Sequence, residues 1–111
     1  VTDSEFALFH LQRALWDPVD TRRLGSLLPD FHYRVNGEVY RFAGEKTLRR
    51  FMEEPELWCG LLRDPVNGER FWPSTRSPRV WFTGGFYYFS SDSTRDRFIE
   101  DPLRYEVKRA I

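Results

Sequence analysis

The chain has 111 residues, with 17 basic against 17 acidic side chains and a formal net charge of zero. By size it is one unit, and nothing in its global charge draws it to nucleic acid or a membrane surface. Its one cysteine, Cys59, excludes an internal disulfide and any multi-thiolate metal site, so ten Phe, five Tyr and four Trp must stabilise the fold by burial.

No apolar run is long enough for a membrane span, and no basic segment leads into an apolar stretch as in a signal peptide. The first residue is Val1 rather than Met, which fits removal of a leader or of a neighbouring domain. The compartment, cytoplasmic or exported, stays open.

Thr2–Glu5 offers N-cap residues ahead of Phe6, Phe9 and Leu15. That spacing predicts a short helix over 4–13 within an N-terminal extension, residues 1–13, although Phe6, Leu8 and His10 also alternate as in a strand. Asp17-Pro18-Val19 follows: proline sets a strand edge or turn entry, and the aspartate accepts from backbone N–H groups of the next turn. After a loop from Asp20 to Asp30, His32–Val35, Asn36-Gly37 and Glu38–Phe42 read as a hairpin with a type I′ turn. Alternation in the return strand turns Tyr40 and Phe42 to the core. A helix starts at Gly44-Glu45, presents Leu48, Phe51 and Met52 on one face, and ends before Pro55.

The same grammar then returns. Leu62 and Asp64-Pro65-Val66 precede a loop from Asn67 to Pro78. Strands Arg79–Phe82 and Phe86–Phe89 flank a predicted turn at Gly84-Gly85, and a helix from Ser91-Asp92 carries Phe98 and Ile99 up to Pro102. The register is ungapped. Leu15, Asp17, Pro18, Val19, Arg23, Gly37, Tyr40, Phe42, Thr47, Arg50, Phe51, Glu53 and Pro55 each recur at a constant offset, Gly37 to Gly84 for example (84 − 37 = 47). Such self-similarity is an internal repeat. At about 45 residues, each copy is near the limit below which a core alone rarely holds a fold. The expected architecture is therefore α+β: two tandem β-hairpin–helix repeats, residues 14–58 and 59–111, packed as one domain about a pseudo-twofold axis.

Asp-Pro-Val, the aromatic strand Tyr87-Tyr88-Phe89-Ser90-Ser91 and the run from Arg95 to Tyr105 together resemble the YHS domain, a relative of the TRASH-type treble-clef modules. Residues 61–105 carry the whole pattern, and residues 14–58 mainly its second half. The resemblance implies metal-binding members with cysteines after Asp-Pro-Val, after the aromatic strand, and four residues further on. Here those positions hold Asn67, Ser90 and Thr94 in the second copy, and Asp20, Ala43 and Thr47 in the first. None is a thiolate or an imidazole, so the chain resembles a cysteine-free branch and the metal role does not carry over.

His10, His32, Cys59 and Met52 are the remaining soft or borderline donors, in four segments without ligand-like spacing. No Gly-x-Ser-x-Gly elbow occurs, and Gly84-Gly85 lacks the lysine of a phosphate loop. No catalytic, cofactor or metal residue is expected. The candidate interaction surface is the second-copy loop, where Arg70, Arg76 and Arg79 are interleaved with Phe71 and Trp72, a composition favoured at binding hot spots. The expected function is a non-catalytic module that binds a protein partner. The alternatives are a copper- or zinc-handling protein with relocated ligands, or an accessory domain of a larger oxidoreductase or transporter, settings in which YHS-like modules occur.

Overall fold

A computed structural model describes residues 16–107. The helix expected over 4–13, with His10, lies outside them. The first hairpin joins β1 (His32–Val35) to β2 (Glu38–Arg41) through Asn36 and Gly37, at φ of 50° and 78°. Helix α1 (Glu45–Glu53) and the single turn α2 (Pro55–Trp58) follow. The chain then forms β3 (Leu62–Arg63) and β4 (Arg70–Phe71), a separate antiparallel pair. The second hairpin joins β5 (Arg79–Phe82) to β6 (Gly85–Tyr88), and helices α3 (Asp92–Glu100) and α4 (Pro102–Tyr105) complete the order. The fold is α+β, with a mixed four-stranded sheet and a two-stranded one.

Two sequence expectations shift locally. The second turn is Thr83-Gly84, at φ of 52° and 79°, rather than Gly84-Gly85. Phe82 pairs with Gly85, so Gly85 is already strand. The prolines also do more than stop a helix. Pro55 and Pro102 each sit in the first turn of a new short helix, where a missing N–H costs nothing. These turns bring Trp58 and Tyr105 against the two cores.

The sheet order is β2-β1-β6-β5. Its central pair, β1 with β6, is parallel, with Val35 opposite Phe86. Thus the outgoing strand of one hairpin meets the return strand of the other. A twofold axis through the centre would instead set like strands side by side.

Each face of the sheet carries its own core. On one, Phe51 of α1 lies 5.7, 5.3 and 5.0 Å (ring centroids) from Tyr33, Tyr40 and Phe42. Cys59, Leu62 and Tyr88 are buried in the same cluster. On the other, Phe98 of α3 lies 5.7, 4.9 and 5.3 Å from Phe82, Tyr87 and Phe89. Tyr88 therefore serves the first core while its neighbours Tyr87 and Phe89 serve the second, as strand alternation requires. Each such ring contributes roughly 1.5–3 kcal/mol by burial.

The loops break the ungapped register. Asp17 N–H donates to the Arg23 carbonyl at 2.9 Å, whereas Asp64 N–H donates to the Glu69 carbonyl at 2.8 Å. The first turn is one residue longer, so Arg23 does not fall opposite Arg70. Register is restored before the hairpins, where Phe42 N–H donates to Phe31 and Phe89 N–H to Pro78, both at 2.8 Å.

Candidate functional site

Two fully buried aspartates organise the ends of the hairpins. Asp17 Oδ1 accepts from Val19 N–H at 2.8 Å and Asp20 N–H at 3.0 Å. Its Oδ2 crosses to the start of α1, accepting from Ala43 N–H at 2.9 Å and the Thr47 hydroxyl at 2.5 Å. Asp64 repeats the arrangement. Oδ1 accepts from Val66 N–H at 2.8 Å, and Oδ2 accepts from Ser90 N–H and its hydroxyl at 2.9 Å and from the Thr94 hydroxyl at 2.6 Å. A carboxylate is the one short side chain that can satisfy so many converging donors at once. Both oxygens of each aspartate are thus engaged within the fold.

These knots gather most of the positions singled out by the family resemblance. Ser90 and Thr94 meet at Asp64, while Ala43, Thr47 and the Asp20 N–H meet at Asp17. Asn67 turns away, its Oδ1 accepting from Glu69 N–H at 2.9 Å. The sequence reading anticipated the local turn bonds of each aspartate but not its reach across some 26 to 30 residues. The recurring Asp-Pro-Val…Thr pairing was the available signal.

The segment from Arg70 to Arg79 divides into frame and surface. Phe71 packs on the first core. Arg70 is half-buried in β4. Arg79 is tied inward: Nη1 donates to the Tyr88 hydroxyl at 3.1 Å and lies 3.6 Å from Glu56 Oε2, and Nη2 donates to the Thr75 carbonyl at 3.1 Å. Tyr88 in turn donates to Glu56 Oε2 at 3.0 Å. Burial pushes the Tyr88 hydroxyl well above the usual tyrosine range; the Arg79 charge opposes this and Glu56 adds to it. The cluster ties the first half to the second through α2, and nothing in the sequence pointed to Glu56.

Trp72 and Arg76 face outward, Trp72 at 70% exposure. Their loop is held in one shape by its serines. Ser77 Oγ accepts from Ser74 N–H at 2.9 Å, Ser74 Oγ from Arg76 N–H at 3.2 Å, and the Ser74 carbonyl from Ser77 N–H at 3.1 Å. Beside it runs a shallow groove lined by Glu69, Trp72, Arg76, Pro78 and Ser90. The first-half loop, passed over in the sequence, exposes Leu24, Leu27 and Leu28.

Of the soft donors, Cys59 is fully buried, its thiol 3.9 Å from the Gly60 carbonyl. His32 lies in β1 and Met52 is exposed on α1. Among the described residues, no three His, Cys, Asp or Glu side chains form a group that could hold a metal ion. No helix there is long and apolar enough to cross a membrane. Comparison with protein-family models, curated proteins and solved structures returned no match.

Proposed function

We propose that the chain is a duplicated module of YHS type, lacking the family's cysteine ligands, that binds another protein through the second loop, with Trp72 and Arg76 as the contact residues. The observation that carries this reading is the exposure of Trp72 on a loop fixed by its own hydrogen bonds. A loop already held in shape loses little entropy on binding, and Trp and Arg are the side chains favoured at hot spots. Arg70, Phe71 and Arg79 act here as the frame behind the contact.

Three likenesses support the duplication. The turns share their backbone angles, the helices set Phe51 and Phe98 against matching strand aromatics, and the carboxylate knots join matching atoms. The copies are related by a half-turn plus a step along the sheet rather than by a closed twofold, which is why their cores lie on opposite faces. In this reading the knots hold the turn where the resemblance places thiolates. A role as accessory domain would make the partner the larger oxidoreductase or transporter itself.

The test immobilises the wild-type chain, a Trp72→Ala/Arg76→Ala variant and a Leu27→Ser/Leu28→Ser variant, and quantifies captured proteins by mass spectrometry. A specific partner should be lost with the Trp72 variant and kept with the leucine variant. Both substitutions lie on the surface, so stability should change by no more than about 0.5 kcal/mol. Loss in the leucine variant alone would move the function to the first loop.

A further inference from the structure

The second core covers β5 and β6, and among the described residues it takes nothing from β1 or β2. The sheet face left there is basic. Tyr33, Val35, Tyr40 and Phe42 belong to the first core, so alternation turns His32, Arg34 and Arg41 to the opposite side. His32 pairs directly with Arg41 across the hairpin, and Arg34 follows two residues along β1. Directly opposite side chains start about 5 Å apart and their next neighbours about 7 Å, close enough for all three to meet on one ligand. The Gly25-Ser26 segment flanks Arg41: a Cβ at Gly25 would fall 2.7 Å from that of Arg41.

These side chains lack partners. Arg34 Nε and His32 Nδ1 are buried without one, and among the described residues Arg34, His32 and Arg41 make no side-chain hydrogen bond or ion pair. Glu106 approaches the same region, since its charge and that of Arg34 both reach the Tyr87 hydroxyl, but the two form no ion pair. Like charges set side by side on a sheet repel, and a polar atom sealed from water without a partner bears its full desolvation cost.

The second half shows what settles such a cluster. Arg79 and Tyr88 hold the positions corresponding to His32 and Arg41 and pair in the same way across their hairpin. Between them lies the carboxylate of Glu56, 3.6 Å from Arg79 and 3.0 Å from the Tyr88 hydroxyl. Helix α2 carries that anion to the first face. Among the described residues, no element carries one to His32, Arg34 and Arg41 on the second.

We propose that His32, Arg34 and Arg41 form a binding site for a phosphate group, free or carried as a monoester on a small molecule. Each guanidinium edge can grip two oxygens at once, and two of them with an imidazole offer more donors than one carboxylate uses. A doubly charged phosphate with three free oxygens matches that set. The site does not involve the Trp72 loop.

The experiment titrates the full-length chain with inorganic phosphate and with glycerol phosphate at constant ionic strength, following the arginine Nε–H signals by NMR. The Arg34 signal, assigned by its absence in Arg34→Gln, should shift and saturate, and the probe that binds more tightly identifies free ion or monoester as the ligand. Arg34→Gln/Arg41→Gln should weaken binding by about tenfold or more, since both forks are lost. Absence of a saturable shift in the wild-type chain would overturn the proposal whether or not any variant folds. Equal affinity in a folded double variant would mean an adventitious ion only, and acetate binding as tightly as phosphate would refute the phosphate assignment. The Trp72→Ala/Arg76→Ala variant should bind phosphate as the wild type does, so failure here is separable from failure of the binding loop.

Discussion

The two halves share a local grammar and differ in what they lend each other. Tyr88 and Arg41 occupy corresponding positions, yet Tyr88 is fully buried in the core of the first half while Arg41 is only half-buried. Among the described residues, the second core draws only on those between Val66 and Val107. The first borrows Cys59, Leu62, Phe71 and Tyr88 from the second half. The halves are thus unequal: the second brings a core of its own, and the first is completed by its neighbour. Under the duplication proposed above, two similar frames differ at the seam, where each takes a different side of one junction.

The strongest way to break this comparison is to separate the halves. Residues 1–58 expressed alone should show no cooperative thermal transition, since their core lacks four of its members, Cys59, Leu62, Phe71 and Tyr88. Residues 59–111 should keep a residual, weaker transition, because the second core stays intact. A cooperative melt in the first fragment, measured by circular dichroism, would show that the borrowing is not needed.

Next in size is removal of the carboxylate knots. Asp64→Ala leaves the buried or part-buried donors of Val66, Ser90 and Thr94 without their acceptor, and stability should fall by about 3–5 kcal/mol. Asp17→Ala should cost a similar amount, somewhat less because Ala43 has no hydroxyl to strand where Ser90 does. Chemical denaturation of both variants measures the pair. A neutral Asp17→Ala would mean that only the second knot holds its half.

The smallest effect is a dependence on alkaline pH. Burial raises the hydroxyls of Tyr33, Tyr87 and Tyr88 above the usual tyrosine value near 10, Tyr88 the most. A raised folded-state pKa means that the folded chain holds its proton where the unfolded chain has released it. The associated stability is therefore complete below pH 10 and declines as pH rises from there. Tyr88→Phe should flatten that decline and remove the last-titrating phenolate from the absorbance at 295 nm. If Tyr88 ionised together with the exposed phenols, its burial in the seam would be refuted.

Much of the local structure was legible without coordinates. Asn36-Gly37 predicted its turn because few residue pairs tolerate two consecutive positive φ values, and the prolines marked both helix ends. Strand alternation turned Tyr40 and Phe42, with their counterparts Tyr87 and Phe89, to the core, and all four are buried; helix period grouped Phe51 with Met52 and Phe98 with Ile99, and of these only the two phenylalanines are buried. These features depend on neighbours a few residues away, so the chain carries them in plain view. The long-range choices were not legible. Alternation assigns Tyr88 to the face opposite Tyr87, but only the packing of α2, Cys59 and Leu62 makes that face a second interior. Asp17 and Asp64 looked like turn residues because their second oxygens find donors that are distant in sequence. The tertiary structure alone decided that β1 would meet β6, since that choice depends on an amide and a missing Cβ on strands some fifty residues apart, Asn36 and Gly85.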